Sequence, residues 1–311
     1  MNVDSVFVSS APGARLHLRH FVGAGAPVLL VHGAIENGRI FYSRGGKGLA
    51  PFLQSLGYDV YVLDLRGRGS SQPAPQRDAH HGQHESICVD LPAASDFILR
   101  QRPDAQQIWM SHSWGGVLQM SALARFKHLR ERTAAVVHFA VKRAITVRSF
   151  ERLVRVELGW KRLLPWVTRA LGYLPADKLG IGSDIETHDS LMASIRWVGT
   201  GAWIDPRDGF DYGSAAQQCA FPPSLWLTGA ADTLLGHPQD VIRFMGECGV
   251  NESSFILLGR GSGALHDYDH IDLLTHEHAP QDHFPRVSAW LNDVMNASLS
   301  EDSFTAGRET T

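Results

Sequence analysis

Residues 107–116, which read QIWMSHSWGG, decide the fold of this chain. The first part, 108–110, is apolar and predicts a buried strand, and a helical pattern begins near Val117. The residues around Ser113 are small enough for a sharp turn that brings strand and helix close together. A serine at the apex of such a turn has a strained backbone, and its hydroxyl projects beyond the sheet edge. Ser113 is therefore the candidate nucleophile.

The motif around this serine departs from the usual G-x-S-x-G pattern, because Ser111 takes the place of the first glycine. Serine is still small enough for the position. The competing interpretation is a turn that serves packing alone, since glycine and serine are common in turns. The rest of the chain decides between the two, because catalysis also requires a base, an acid and an oxyanion hole.

The composition favours one large globular core with a modest insertion. The chain has 311 residues, 44% of them hydrophobic, and its formal net charge of -3 gives no electrostatic case for nucleic acid as a partner. No apolar run approaches the roughly 20 residues that span a bilayer. The N-terminus lacks an export-signal pattern and the three cysteines are scattered, so we expect a cytoplasmic location. Nothing in the sequence indicates an oligomeric state.

Apolar runs alternate with helical patterns along most of the chain, which predicts an α/β fold with a doubly wound, mostly parallel sheet. Strands are predicted at 6–8, 15–22, 27–33, 58–65, 134–141, 224–228 and 255–258, the first two as an antiparallel pair. The alternation stops between 142 and 213, where helical patterns predict a cap. The predicted core is therefore 1–141 with 214–296, and the polar residues 297–311 are predicted to be a disordered tail.

The first part of the predicted cap is basic, with eight Lys and Arg against two Glu in residues 142–170. Such a basic, aromatic segment could contact a lipid surface or attract acidic substrates. The favoured interpretation is an amphipathic cap helix with a solvated basic face.

Two further motifs give weak signals for phosphate or metal. The glycine-rich loop at 66–71 lacks the G-x-x-x-x-G-K-[ST] pattern of a phosphate loop. His80, His81 and His84 lie close together, but no acidic or thiol residue is spaced to complete a metal site, which favours a solvated loop. We therefore predict neither a metal nor a cofactor.

Polar residues follow two predicted strands near the C-terminus. Asp232 comes just after the strand at 224–228, and His270 lies on the loop after the strand at 255–258. Because the carboxyl ends of parallel strands meet at one edge of the sheet, both residues are expected near Ser113. We predict Ser113 as nucleophile, His270 as base and Asp232 as acid.

Neighbouring residues leave alternatives to this assignment. The alternative bases are His266, His276 and His278, and the alternative acids are Asp208 and Asp211. A metal site could also use His266, Asp269, His270 and Asp272, although the role as base already accounts for the histidine.

The chain order Ser113, Asp232, His270 resembles that of the α/β-hydrolase fold family, in particular its serine esterases and lipases. The motifs that carry the resemblance are His32-Gly33, LDLRGRG at 63–69, SHSWGG at 111–116, GAAD at 229–232 and YDHID at 268–272. The His-x-Asp motif, FAVKR at 139–143 and a helical cap particularly resemble acid-lipase-like members.

The resemblance implies an oxyanion hole and a substrate pocket as well as the three catalytic side chains. Family members that open epoxides or remove halides use an aspartate nucleophile, so a serine implies acyl chemistry. The backbone N–H groups of Ala34 and Trp114 are the implied oxyanion hole, and His32, Gly33 and His112 the implied substrate-binding residues.

The predicted function is hydrolysis of small carboxylic esters with hydrophobic acyl groups, through an acyl-enzyme intermediate. Leu, Trp and Phe residues in the predicted cap favour hydrophobic acyl groups. An acyltransferase or thioesterase with the same three residues is the first alternative. A non-catalytic binding protein on the same fold is the second, and an intact set of Ser, His and Asp disfavours it.

Overall fold

A computed structural model describes residues 2–306 of the chain. Within this range eight strands form one central sheet, and two short strands form a separate hairpin. The strands are β1 (Val3–Ala11), β2 (Ala14–Phe21), β3 (Pro27–Val31), β4 (Asp59–Asp64), β5 (Gln107–His112), β6 (Thr133–Phe139), β7 (Tyr173–Leu174), β8 (Glu186–Thr187), β9 (Ser224–Gly229) and β10 (Phe255–Leu258).

The central sheet has the strand order β1-β2-β4-β3-β5-β6-β9-β10. Strand β2 is antiparallel to both of its neighbours. The other neighbouring pairs of this sheet, from β4-β3 to β9-β10, are parallel. The predicted doubly wound, mostly parallel sheet is confirmed, and so is the antiparallel pair at its edge. Strand β5, which leads to Ser113, lies near the middle of the sheet.

Helices cover the sheet and recur along the chain between β6 and β9. They are α1 (Leu49–Ser55), α2 (Gln83–Glu85), α3 (Leu91–Gln101), α4 (Trp114–Arg125), α5 (Lys127–Glu131), α6 (Phe150–Arg152), α7 (Leu164–Leu171), α8 (His188–Trp197), α9 (Tyr212–Gln218), α10 (Pro238–Glu247), α11 (Asp272–Thr275) and α12 (His283–Ala306). Two π-helical segments, Ser86–Asp90 and Leu153–Leu163, continue the helical runs after α2 and α6. None of the helices in residues 2–306 is long and apolar enough to cross a membrane.

The core has one apolar layer on each face of the sheet. Along β5, Ile108 and Met110 pack into one layer, while Trp109 packs into the other. Successive side chains of a strand point to opposite faces, so a strand that is covered on both sides is apolar at every position. This explains why the central strands read as continuous apolar runs in the sequence.

The segment between β6 and β9 contains helices α6 to α9 and the β7–β8 hairpin, which the sequence patterns did not predict. Helix α7 packs against α8. Near the end of the segment Trp203 and Tyr212 are buried in the same apolar layer as Trp109, so this end of the segment packs into the core.

Helix α12 extends from His283 to Ala306, beyond residue 297, where the sequence predicts a disordered tail. Residues 297–306 contain alanine, leucine and glutamate, which favour helix once a preceding helix has nucleated it. Residues 307–311 of the predicted tail lie outside the described residues.

Candidate active site

Ser113 lies at the turn between β5 and α4. Its backbone has φ 50° and ψ -125°, a left-handed conformation that costs free energy in a non-glycine residue. Helix α4 begins at the next residue and passes close to β3, because a β-carbon at Gly115 would collide with the carbonyl oxygens of Val31 and His32. Only glycine fits at this point. The strand, sharp turn and helix predicted for residues 107–116 are all present.

Ser111 takes the place of the usual first glycine because its hydroxyl has a buried partner. Its Oγ lies 2.7 Å from Nδ1 of His138 on the adjacent strand β6. Burial lowers the pKa of His138 to about 3, so this imidazole is neutral. A β-carbon at Gly116 would collide with both methyl groups of Val141 and would lie 2.8 Å from Ser111 Oγ. Glycine at 116 therefore leaves room for both side chains.

The structure brings Ser113, His270 and Asp232 together in one hydrogen-bonded chain. His270 Nε2 lies 2.9 Å from Ser113 Oγ, and His270 Nδ1 lies 2.6 Å from Asp232 Oδ2. All three side chains are buried. The loops that carry the acid and the base are also joined, because Ala231 N–H donates to the carbonyl oxygen of Tyr268 over 2.9 Å.

The pKa shifts of His270 and Asp232 favour a neutral histidine beside an ionised acid. Burial lowers the pKa of His270 below its usual 6.5, although Asp232 opposes the shift. Burial raises the pKa of Asp232, but the charge and hydrogen bond of His270 outweigh it and bring the value to about 2. At neutral pH His270 Nε2 is therefore free to accept a proton from Ser113, while Asp232 holds the other ring nitrogen.

The alternative acids and bases lie elsewhere. His266 Nε2 is 3.2 Å from Asp272, and its ring stacks on that of His276. Asp208 pairs with Arg125 at 2.5 Å, and Asp211 caps helix α9. The ring of His278 packs against that of His276. None of the five alternatives forms a hydrogen bond with Ser113, whose hydroxyl pairs with His270, so the geometry favours the first assignment.

Gly33, Ala34 and Trp114 lie beside Ser113. A β-carbon at Gly33 would be 2.9 Å from Ser113 Cβ and 3.1 Å from the backbone nitrogen of Trp114. Ala34 and Trp114 line the same cavity as Ser113 and His270. The backbone N–H groups predicted to form the oxyanion hole therefore come from two segments that meet at the serine.

The loop after β3 is held in place by residues just before and within β8. Ile35 has a positive φ of 51°, and its carbonyl accepts from the N–H groups of Ser183 at 2.9 Å and Asp184 at 3.0 Å. Glu186, in β8, forms a buried ion pair with Arg68 on the loop after β4. The end of the helical segment thus anchors the loop that carries Ala34.

His32 and His112 were predicted to bind substrate, but the structure places both side chains behind the site. Each is fully buried, and neither lines the cavity. His32 Nε2 accepts from the backbone N–H of Leu65 at 3.0 Å, while Nδ1 donates to Gly33 O at 2.9 Å. This histidine supports the loops after β3 and β4, so its contacts are structural.

Glu36 and His112 form a buried ion pair that sequence patterns did not predict. His112 Nδ1–H donates to Glu36 Oε1 over 2.7 Å, and Nε2–H donates to the carbonyl oxygen of His270 over 2.8 Å. Because both ring nitrogens donate, the imidazole carries a proton on each. Burial opposes this charge, but Glu36 outweighs burial and raises the pKa of His112. Glu36 also accepts from Gly33 N–H, so the pair joins the Gly33 loop to the His270 loop.

Ser113 and His270 open onto a cavity of about 560 Å³. Its walls combine apolar side chains, among them Trp160, Val198 and Leu235, with basic side chains. The volume suits a small organic substrate. Trp160 and Val198 come from the helical segment between β6 and β9, so that segment forms part of the wall.

His84, Cys88 and Asp205 come together, so the prediction that no thiol or acidic residue is placed beside these histidines was wrong for His84. Their ligand atoms lie within 4.8 Å of one another. Asp205 already accepts hydrogen bonds from His84 at 3.0 Å and Tyr212 at 2.8 Å, and burial raises the pKa of Cys88 to about 11. A protonated thiol is a poor metal ligand, so we interpret these residues as a buried hydrogen-bond network.

Comparison with known proteins supports the same architecture. The sequence profile of the α/β hydrolase fold matches residues 26–171. Bifunctional epoxide hydrolase 2 of Sus scrofa is 30% identical over 112 residues, 36% of this chain, and that of Rattus norvegicus is 28% identical over 134 residues, 43% of this chain. These matches span only 18% and 22% of the two epoxide hydrolases.

Solved structures match over nearly the whole chain. A soluble variant of monoglyceride lipase from Saccharomyces cerevisiae has a TM-score of 0.67 with 15% identity, and covers 94% of this chain and 95% of its own. An esterase from Exiguobacterium antarcticum has a TM-score of 0.60 with 15% identity, and covers 93% of this chain and 100% of its own. At such low sequence identity these matches support a shared fold and nothing more. The profile match and the shared architecture show that this protein has the α/β-hydrolase fold.

Proposed function

We propose that this protein is a serine hydrolase that cleaves carboxylic esters through an acyl-enzyme intermediate. The observation that carries the proposal is the hydrogen-bonded chain from Ser113 through His270 to Asp232, at the wall of a cavity of about 560 Å³. A serine hydroxyl becomes nucleophilic when an adjacent base accepts its proton, and an acid orients that base. Resemblance to acid-lipase-like members stays a prediction.

In the first half of the reaction, Ser113 Oγ attacks the ester carbonyl while His270 Nε2 accepts the hydroxyl proton. Asp232 stabilises the imidazolium that forms. The negative oxygen of the tetrahedral intermediate accepts hydrogen bonds from the backbone N–H groups of Ala34 and Trp114. Loss of one such donor typically costs about 3 to 4 kcal/mol of transition-state stabilisation. The intermediate then expels the alcohol, which takes its proton from His270.

In the second half, water replaces the alcohol. His270 accepts a proton from the water as it attacks the acyl carbonyl, and then returns a proton to Ser113 Oγ as the carboxylic acid leaves. The chain thereby returns to its starting state. No further group is needed to balance the reaction.

The substrate proposal is a small ester whose acyl chain contacts the apolar wall of the cavity. Trp160, Val198 and Leu235 supply apolar surface near Ser113. We assign residues 142–213 the role of a cap over this cavity. The monoglyceride lipase and the esterase named above support ester chemistry by analogy of fold. The epoxide hydrolases suggest another chemistry, but the serine at position 113 favours acyl transfer.

The proposal is tested by treating the protein with a fluorophosphonate probe, followed by intact mass measurement and peptide mapping. Turnover of p-nitrophenyl esters with short to long acyl chains is measured in parallel. A single adduct on Ser113 together with turnover is the expected result. An adduct on Ser113 without turnover would favour an acyltransferase or a thioesterase. Absence of both would favour a non-catalytic binding protein and overturn the proposal.

A further inference from the structure

The amine of Lys142 lies in the wall of the cavity, and no described side chain of opposite charge pairs with it. The residue follows β6, is only 4% exposed and lines the same cavity as Ser113 and His270. Among residues 2–297, whose side chains the structure describes, no carboxylate oxygen lies within 4.0 Å of its Nζ, and its side chain makes no hydrogen bond.

An unpaired buried cation is costly, because an ammonium group loses its hydration without a compensating contact. The neighbouring buried cations of this protein are paired. Arg143 donates to Glu247 at 2.6 Å, and Arg68 pairs with Glu186. Of these three buried cations, only Lys142 has no described carboxylate beside it.

Three carboxylates attract the ammonium of Lys142 electrostatically, and each of them accepts a hydrogen bond from another residue. Asp232 accepts from His270 at 2.6 Å, and Glu36 accepts from His112 at 2.7 Å. Asp240 accepts from the backbone N–H of Thr146 at 3.0 Å. These three acids attract the ammonium from a distance, which opposes the cost of burial, but none of them contacts it.

The charge of the cavity wall is positive. Arg39 also lines the cavity, is exposed, and has no carboxylate within 4.0 Å in the described part of the chain. Arg155 lines it too and pairs with Glu151 at 2.7 Å. Among the described residues that line the cavity, Glu36 is the only acid, and His112 neutralises it. An anion that enters the cavity would therefore meet two cations, Lys142 and Arg39, that have no described partner.

We infer that the substrate of this site is an ester that carries a second, free carboxylate, and that the ammonium of Lys142 binds this carboxylate. The inference rests on the proposed ester hydrolysis and specifies its substrate class. A charge-assisted hydrogen bond in a water-poor site is stronger than one between neutral groups. The buried ammonium of Lys142 supplies one charge, which matches the single charge of a carboxylate. Arg39 is exposed, so solvent screens its attraction and it contributes less.

The protonation state of the amine agrees with this role. Burial lowers the pKa of Lys142 to about 8, while Asp232, Asp240 and Glu36 raise it. At pH 7 the amine is still mostly protonated.

The test compares esters that differ only by the carboxylate. The mono-4-nitrophenyl esters of adipic, pimelic and suberic acid are paired with 4-nitrophenyl hexanoate, heptanoate and octanoate, and kcat/KM is measured for each at pH 7. For at least one chain length we expect a ratio, anionic over neutral, of ten or more. In Lys142→Met this ratio should fall at least tenfold. Effects of the variant on catalysis itself cancel in the ratio.

The matched control is Lys127→Met, which removes the same charge from an exposed side chain on α5. Its ratio should equal that of the wild type. A wild-type ratio of one or less at all three lengths would overturn the inference, and so would an unchanged ratio in Lys142→Met. The wild-type ratio decides the matter even if this variant does not fold.

A protein that hydrolyses none of the six esters would contradict the proposed function rather than the inference. Binding then decides the role of Lys142. Calorimetric titration of monomethyl adipate, pimelate and suberate into Ser113→Ala, with and without Lys142→Met, should show at least tenfold weaker binding for one ester when the lysine is absent. Equal affinities in the two proteins, or no binding to either, would overturn the inference.

Discussion

Strand β5 buries its apolar side chains, whereas the helical run from α6 to α7 exposes several of its own. Every residue of β5 is buried, and the side chain of Ser113 that follows it is held by hydrogen bonds. In the helical run, Phe150 is 80% exposed and Trp166 is 70% exposed. A buried strand tolerates little change, because each side chain fills a defined space. An exposed helix surface can change without disturbing the core.

This difference separates the chemistry from the choice of substrate. The sheet determines the positions of Ser113, His270 and Asp232, which we propose as nucleophile, base and acid, and we expect substitutions of these residues to abolish the reaction. The helical segment provides one wall of the cavity and much exposed surface, so its substitutions should alter selectivity or have little effect. The following predictions test this division, starting with the largest expected effect.

Ser113→Ala should lower kcat for p-nitrophenyl acetate by about three or more orders of magnitude, because the attacking oxygen is lost. The fold should remain, since alanine also tolerates the short turn and occupies less space. Turnover and the thermal unfolding curve are measured together. Ser55→Ala, on helix α1, is the matched control and should keep wild-type turnover. Near-wild-type activity in Ser113→Ala would refute the proposed mechanism.

Glu36→Gln should lower kcat by about 10- to 100-fold, although this residue is not proposed to react. The substitution removes the counter-charge of His112, which positions the backbone of His270, and small displacements of a catalytic group are costly. The free energy of unfolding should fall by about 3 kcal/mol, because a buried charge loses its partner. Both quantities are measured, the second by urea denaturation.

The exposed Glu252→Gln makes the same chemical change outside the site and serves as control for Glu36→Gln. It should leave both quantities unchanged. If Glu36→Gln behaves like this control, the Glu36–His112 pair does not position the base.

The pH profile of kcat/KM should show an acid limb with its midpoint below pH 6.5. His270 must be neutral to accept a proton, and burial lowers its pKa. Activity should therefore exceed half of its maximum at pH 6.5 and fall about tenfold per pH unit once the pH drops below the pKa of His270. The measurement uses p-nitrophenyl acetate between pH 4 and 8. A midpoint above 6.5 would show that the attraction of Asp232 outweighs burial.

Trp166→Ser, on the exposed face of α7, should change turnover by less than about twofold and stability by less than about 0.5 kcal/mol. Trp160→Ser is the informative partner, because Trp160 lines the cavity and donates to Ser194 Oγ at 3.1 Å. It should raise KM for p-nitrophenyl octanoate more than Trp166→Ser does. An equal change in KM for the two variants would contradict the distinction between cavity-lining and exposed side chains of this segment.

Much of the fold is predictable from the sequence, because burial on both faces leaves a continuous apolar run. The run predicted at 255–258 matches β10 residue for residue, and the run predicted at 27–33 begins with β3 and extends two residues beyond it. The β7–β8 hairpin could not be predicted in this way, since each of its strands has only two residues. Helix α12 also continues past Ala297, where apolar residues no longer recur at helical spacing and periodicity gives no further signal.

The roles of individual site residues were harder to predict. Ser113, Asp232 and His270 follow strands that end at one edge of the sheet, so topology alone brings them near one another. His112 also lies beside the serine in sequence, but side-chain direction decides whether it faces the cavity or the core, and spacing does not show that direction. Glu36 is a single acid on a loop, and its partner is 76 positions away.

The anchor between Ile35 and residues 183–186 has a consequence for recombining this protein with others. A foreign segment that replaces residues 148–181 would leave the Ile35 carbonyl bonds and the Arg68–Glu186 pair intact. Exchange of a longer segment, through residue 187, would remove the contacts that hold the loop of Ala34. A chimera that exchanges only residues 148–181 should therefore accept new substrates and keep the original reaction rate. A chimera that exchanges the segment through residue 187 should lose the reaction itself.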